Sequence, residues 1–163
     1  IIPLLERRDK QTLHDVLRLW GVVLLMNLVG AGVIAWVLAN TAILPAEVHR
    51  AFFAIGRQSA NVTFGLALLR GIFAGWLIAF MVWLLPVAET GRLPVIVGVT
   101  WLVGLGGFTH IIAGSIEVLY LTSLGTLPWY QCLGGYMLPT LVGNILGGVP
   151  LVAALNHAQV VSK

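Results

Sequence analysis

Residues 107–121 read GFTHIIAGSIEVLYL, and they lie inside an apolar run that extends from residue 94 to residue 124. A membrane-spanning helix needs about 20 mainly apolar residues, so this run is too long for one straight helix. Glycine weakens a helix interior and permits unusual backbone angles, and small residues crowd the centre of the run at Gly104, Gly106, Gly107, Gly114 and Ser115. The pattern predicts two half-helices with a break at about 104–117. The alternative is one long, tilted helix whose glycines allow close packing.

The composition places the whole chain in a membrane. Of its 163 residues 59% are hydrophobic and 9% are charged, whereas soluble domains are roughly 45–50% apolar and about 25% charged. The chain has no basic stripe with interleaved aromatic residues, so nucleic acid is not an expected partner. One cysteine, Cys132, excludes an intramolecular disulfide. With no phosphate loop, dinucleotide fingerprint or zinc motif, we expect no catalytic residues, metal or cofactor.

The apolar runs predict an all-α membrane protein with a single transmembrane domain and four spans, at about 17–40, 62–86, 94–124 (the broken one) and 133–156. The chain starts without methionine and is expected to be a piece of a longer protein.

Basic residues predict the orientation of the spans. One side collects Arg7, Arg8, Lys10, Arg18, Arg92 and Lys163, and the other collects Arg50 and Arg57. The side richer in Lys and Arg is expected to face the cytoplasm, which places both termini there.

A short repeat links the first and the last span. Residues 27–30 read NLVG and residues 144–147 read NILG. Asparagine can hydrogen-bond between helices and glycine lets them approach, so we predict helix-packing roles for Asn27, Asn144 and Gly147. The repeat is either chance similarity or a sign of a transporter built from two halves.

Ionisable residues inside the spans are the candidates for function. Arg70, His110 and Glu117 each lie at membrane depth, where a charge costs at least about 2.5–3.5 kcal/mol near the centre. Histidine has an ordinary pKa of about 6.5 and can exchange protons near neutral pH, so His110 is either a substrate-pathway group or a neutral histidine bonded between helices. Arg70 and Glu117 form a possible charge pair; otherwise Glu117 caps the second half-helix.

The neighbours of His110 complete the predicted substrate pathway, which comprises Thr109, His110, Gly114 and Ser115. An intramembrane serine protease using Ser115 would need a base within hydrogen-bond reach. The fourth span carries no histidine at depth, because His157 lies at its end. We therefore do not expect an enzyme.

Several segments together resemble one protein family. GFTHIIAGSIEV at 107–118 is similar to the fifth helix of the formate/nitrite transporter family. LPTLVGNILGGVPLV at 138–152, with Gly143, Asn144, Gly147 and Gly148, resembles its sixth helix. Residues 69–84 and 17–32 resemble the fourth and third helices, in the family's order.

The resemblance implies a fold, an assembly and an activity. The fold would be an aquaporin-like bundle of six helices in two inverted halves, of which this chain carries helices three to six. The protein would be a homopentamer in the lipid bilayer, in the bacterial inner membrane, and would transport small monovalent anions such as formate or nitrite. His110 matches the family's central histidine, which would hydrogen-bond the anion and protonate it.

Three positions depart from the family pattern and make the chain a divergent member. Gly114 stands where the family commonly has asparagine, and Ser59, with Arg57 nearby, stands in the region of a common lysine. Glu117 adds a negative charge to an expected anion path. The alternatives are a neutral-solute pore of water or glycerol type and a membrane scaffold that does not transport.

Overall fold

The computed structural model describes residues 2–161, so Lys163, one of the residues counted for the orientation, lies outside the described part. Seven α-helices follow in order: α1 Ile2–Arg7, α2 Lys10–Asn40, α3 Ala46–Ala60, α4 Phe64–Leu84, α5 Arg92–Leu105, α6 Ile111–Ser123 and α7 Leu138–Val161. A π-helical segment, Gln131–Met137, leads directly into α7. Residues 2–161 contain no strand, and the predicted class, an all-α membrane protein, is confirmed.

Within residues 2–161, three helical stretches are long and apolar enough to cross a membrane: Lys10–Asn40, Phe64–Leu84 and Gln131–Leu155. The first begins well before the predicted boundary at residue 17 because Asp9 caps it. The Asp9 carboxylate accepts hydrogen bonds from the Thr12 backbone N–H at 2.8 Å and from the Thr12 hydroxyl at 2.7 Å. The bond from the backbone N–H in particular holds the pKa of the Asp9 carboxyl below its usual value.

The remaining apolar run is divided into α5 and α6. Helix α5 ends at Leu105 and α6 begins at Ile111, so the break covers residues 106–110. It is shorter than the predicted 104–117, because Gly114, Ser115 and Glu117 are helical. Gly107 has φ +58°, and the Phe108 N–H donates to the Val103 carbonyl at 3.0 Å. These are the features of a glycine-terminated helix end.

Glycines bring α4 and α7 into backbone contact. Gly71 and Gly75 on α4 face Gly143 and Gly147 on α7, and each pair has the spacing Gly-x-x-x-Gly. A Cβ atom at Gly75 would lie 2.7 Å from the Asn144 Cα atom. One at Gly147 would lie 2.8 Å from the carbonyl carbon of Ile72. The two helix axes can approach this closely only because side chains are absent there.

Helix α6 is buried between α2 and α3. Val118 and Leu121 of α6 are fully buried and belong to one apolar cluster with Ala31 and Ala35 of α2. On the other side, a Cβ at Gly56 of α3 would lie 2.9 Å from the Glu117 carbonyl oxygen. The C-terminal turns of α3 therefore run directly beside Glu117.

We predict that Gly147→Ala destabilises the protein, because the added methyl group meets the Ile72 and Trp76 backbone, which cannot move aside as a side chain can. Overpacking of this kind costs about 1–3 kcal/mol. The measurement is the thermal midpoint of the full-length protein in detergent. Gly65→Ala is the matched control, because nothing lies within 4 Å of a Cβ at Gly65 on the same helix pair. Equal midpoints for the two variants would contradict the prediction.

Candidate functional site

The break at 106–110 is tied to α4 on one side. The Thr109 hydroxyl donates to the Ala67 carbonyl at 2.8 Å, and Thr109 is buried. Phe108 stacks on Phe73 of α4 with ring centroids 5.5 Å apart. The second part of the unwound segment, at Phe108 and Thr109, therefore lies against α4. Non-helical backbone at membrane depth requires such cover.

Asn144 of α7 holds the other side of the break. Its Oδ1 accepts a hydrogen bond from the Ile111 N–H at 2.9 Å. Its Nδ2 donates to the Thr109 carbonyl at 3.0 Å and to the Gly71 carbonyl at 2.9 Å. A single amide thus satisfies backbone groups on both sides of residue 110 and also bonds α4. This role is more specific than the general helix-packing role that the sequence predicts for Asn144.

His110 lies at the point that these bonds fix. It is the residue that precedes α6, with an extended backbone at φ −121° and ψ 129°, and its side chain does not cap the helix. Within residues 2–161 the imidazole has no hydrogen-bond partner. Its two nitrogens are also not fully buried. The ring therefore has free donor and acceptor capacity and faces open space.

Two cavities meet at His110. The α3-side cavity has a volume of about 460 Å³ and lies between α3, α4, α5 and α6. Its polar lining comprises Gln58, Ser59, Arg70, Thr100, Thr109, His110, Glu117 and Tyr136. The α2-side cavity has a volume of about 860 Å³, and its lining is largely aliphatic, with Leu17, Leu24, Val149 and Val152 among it. Among the described residues, His110 and Ile78 alone line both cavities.

Gly114 lies on the face of α6 that lines the α3-side cavity. A Cβ at Gly114 would overlap the Tyr136 hydroxyl oxygen, and it would lie 2.7 Å from the ring carbon that carries this hydroxyl. The phenol therefore occupies the space that a side chain at residue 114 would take. The sequence does not single out Tyr136, because its contact with Gly114 joins segments that are 22 residues apart. The direction of the Tyr136 side chain is set by the π-helical segment, which the sequence does not predict.

Ser115 does not reach the predicted pathway. It is fully buried, its hydroxyl donates to the Ile111 carbonyl in its own helix, and it is not part of the lining of either cavity at His110. A serine that bonds back to the preceding turn is a common arrangement in helices.

The possible charge pair of Arg70 and Glu117 is not formed. Both line the α3-side cavity, but no ion pair joins them in the part of the chain that the structure describes. The Glu117 carboxylate instead accepts a hydrogen bond from the Ser59 hydroxyl at 2.5 Å. Sequence reasoning missed this partner because Ser59 is 58 residues away and reaches Glu117 only when α3 packs on α6.

The two asparagines of the repeat differ in their contacts. Asn27 is exposed and donates to the Val23 carbonyl of its own helix at 2.8 Å, so it bridges no helices within the described chain. Gly147 packs against the α4 backbone, as described above.

We predict that Asn144→Leu destabilises the protein strongly, because it leaves the Ile111 N–H and the Thr109 carbonyl without their partner and removes the bond to the Gly71 carbonyl of α4. Each unsatisfied buried group costs about 1–3 kcal/mol. Asn40→Leu is the matched control, since the Asn40 amide donates only to Trp36 of its own helix and is exposed. Thermal midpoints of the full-length variants check this, and an Asn144→Leu protein as stable as Asn40→Leu would contradict the role given to Asn144.

The chain is similar in sequence to known membrane and transport proteins. The family model described as formate/nitrite transporter matches residues 1–158. The inner membrane protein YfdC of Escherichia coli (strain K12) is 41% identical over 160 residues, which cover 98% of this chain and 52% of that protein. A protein named "Probable formate transporter" from Methanothermobacter thermautotrophicus is 27% identical over 177 residues, covering 94% of this chain and 63% of its own.

The formate channel BtFdhC of Bacillus thuringiensis is 26% identical over 148 residues, covering 88% of this chain and 56% of its own. The chain thus spans about half the length of the curated relatives that it matches. No solved structure matches it significantly. On the family match and the similarity to YfdC, the chain belongs to the formate/nitrite transporter family.

Proposed function

We propose that the protein is a transmembrane channel or transporter for small monovalent anions such as formate or nitrite, and not an enzyme. Membership of a transporter family supports the general class, and two relatives carry formate in their names. The observation that carries the proposal is the position of His110, which is the ionisable side chain of the break and lines both cavities.

In the proposed mechanism His110 changes the charge of the solute. A protonated imidazole donates a hydrogen bond to an oxygen of the anion and then transfers that proton to it. The products are a neutral imidazole and a neutral acid, so charge and atoms balance. The neutral acid then crosses the aliphatic α2-side cavity, where an anion would meet a high desolvation cost. The imidazole then regains a proton from water on the entry side, and the acid releases its proton to water after it has crossed.

The two-halved architecture belongs to the same proposal. Asn144 bonds both sides of one break, and the repeat at 27–30 would give Asn27 the same task for the broken helix of an inverted first half. The exposure of Asn27 and its place in the lining of the α2-side cavity are compatible with this.

The assembly and orientation are also proposed. We infer a homopentamer in the bacterial inner membrane with both termini in the cytoplasm. The basic residues near the start of α2 and α5, against two on α3, support the orientation. Native mass spectrometry with another copy number would exclude the pentamer.

A neutral-solute pore is the second candidate. It is favoured by Glu117, since a carboxylate beside the path opposes the entry of anions. Liposome swelling in glycerol or water gradients, without dependence on any anion, would identify such a pore.

We predict that His110→Asn lowers formate flux at least about tenfold. This factor corresponds to an increase of roughly 1.4 kcal/mol in the activation free energy of transport. Asparagine keeps hydrogen-bonding capacity at this position but cannot transfer a proton. The assay is formate uptake into liposomes that contain the full-length protein.

His14→Asn is the matched control for this assay, because His14 is an exposed residue near the start of α2. The expected result is flux like that of the unmodified protein. Equal flux in His110→Asn and His14→Asn would overturn the role of His110.

A further inference from the structure

We propose that the Tyr136 hydroxyl is a substrate-binding group, which donates a hydrogen bond to the anion while the anion is held at His110. The phenol reaches this place from the π-helical segment and fills the space that a side chain at residue 114 would fill. This inference rests on the proposed function. It adds a residue that binds the anion before the proton is transferred.

The Tyr136 hydroxyl lies one helical turn away from His110. Gly114 donates its backbone N–H to the His110 carbonyl at 2.9 Å, and four residues of helix correspond to about 6 Å along the axis. A Cβ atom at Gly114 would overlap the Tyr136 hydroxyl oxygen, so this oxygen lies where a side chain at residue 114 would begin. All three residues line the α3-side cavity. The phenol and the imidazole therefore border the same open space.

The Tyr136 hydroxyl has no protein group that competes with a solute for its proton. Tyr136 is 3% exposed, and the hydroxyl of so deeply buried a phenol usually has a hydrogen-bond partner. Within residues 2–161 this hydroxyl makes no hydrogen bond, and its oxygen is not fully buried. The ring is thus held by packing while the hydroxyl opens to the cavity. π-Helical segments often occur at functional sites, where they place a side chain in this way.

The charged groups of the cavity leave the Tyr136 hydroxyl available to an anion. Among the described residues, Glu117 is the one carboxylate in the lining, and it accepts its hydrogen bond from the Ser59 hydroxyl at 2.5 Å and not from Tyr136. Arg70 of α4 lines the same cavity and forms no ion pair with Glu117 in the described chain. The positive charge of Arg70 offsets the carboxylate in the field that an entering anion meets. The lining therefore presents no net negative charge to that anion.

The imidazole and the phenol together match an anion with two acceptor atoms. In formate and in nitrite two oxygens share the negative charge, so one oxygen can accept from the protonated His110 and the other from Tyr136. A phenol keeps its proton at neutral pH, and it therefore binds the anion but leaves the proton transfer to His110. Its contribution is greatest for the anion, because a hydrogen bond to a charged acceptor is roughly twice as strong as one between neutral groups.

Gly114 and Tyr136 together account for one departure from the family pattern. The family commonly has asparagine where this chain has Gly114. An asparagine there would begin in the space that the phenol now occupies, and its amide would also offer a hydrogen-bond donor to the cavity. We therefore expect the two donors to be interchangeable, with one carried by α6 and the other by the segment that leads into α7.

The first test is the concentration dependence of formate uptake at pH 7 by full-length Tyr136→Phe in liposomes. This variant keeps the ring and removes only the hydroxyl. We expect the half-saturating formate concentration to rise at least about tenfold, as the loss of a hydrogen bond to a charged group implies, with little change in maximal uptake per folded protein. A purely structural role would lower the amount of folded protein and leave the half-saturating concentration unchanged. Tyr130→Phe is the matched control, because Tyr130 is exposed and immediately precedes the π-helical segment.

The second test restores the donor from the other helix. Tyr136→Leu removes the hydroxyl and shortens the side chain, so it raises the half-saturating concentration and leaves room beside α6. Addition of Gly114→Asn to this variant places an amide in the vacated space, and we expect the half-saturating concentration to return to within about threefold of that of the unmodified protein. This pair of variants decides the outcome if Tyr136→Phe does not yield folded protein.

The possible failures are distinguishable. Equal half-saturating concentrations in Tyr136→Phe and Tyr130→Phe would overturn this inference alone, and so would a double variant no better than Tyr136→Leu. Absence of any formate flux in the unmodified protein would overturn the proposed function and this inference with it.

Discussion

The hydrogen bonds of one asparagine determine how this chain can interrupt a helix at membrane depth. Lipid offers no partner to a free N–H or C=O group, so a break survives only where protein supplies one. Asn144 does so for the Ile111 N–H and the Thr109 carbonyl, the groups on either side of His110. These bonds stand in for helical bonds that the interruption removes next to His110.

The glycines of α4 and α7 are what bring Asn144 within reach. Its third bond, to the Gly71 carbonyl at 2.9 Å, crosses between helices whose backbones touch at Gly75 and Gly147. A larger residue at these points would separate α7 from α4 and withdraw the amide from the break. The packing of α4 against α7 thus sets the position of His110, the residue that precedes α6.

Much of the fold was predictable from local pattern, and the finer parts of the site were not. Composition and apolar run length give an all-α membrane protein, and the glycines around His110 give a broken helix. The limits of the break could not be read in advance, because the local pattern does not show that Gly114 lies inside α6, where its missing side chain leaves room for the distant Tyr136. Likewise, the partner of Glu117 depends on the packing of α3, which makes Ser59 its donor in place of the expected Arg70. Ser115 was predicted as a pathway residue because it lies close to His110 in the sequence and carries a hydroxyl group. It lies on the face of α6 that packs into the protein core, where it is fully buried.

The central claim is that the break presents His110 to open space on both of its sides. Cysteine labelling tests it directly, in full-length protein in which Cys132 has been replaced by serine. A small, membrane-impermeant thiol reagent is applied separately from each side of the membrane to His110→Cys and, as the buried reference, to Ser115→Cys. The account predicts that the cysteine at residue 110 reacts through the polar α3-side cavity and that the one at residue 115 reacts from neither side. A cysteine at residue 110 that is as unreactive as the one at residue 115 would contradict it.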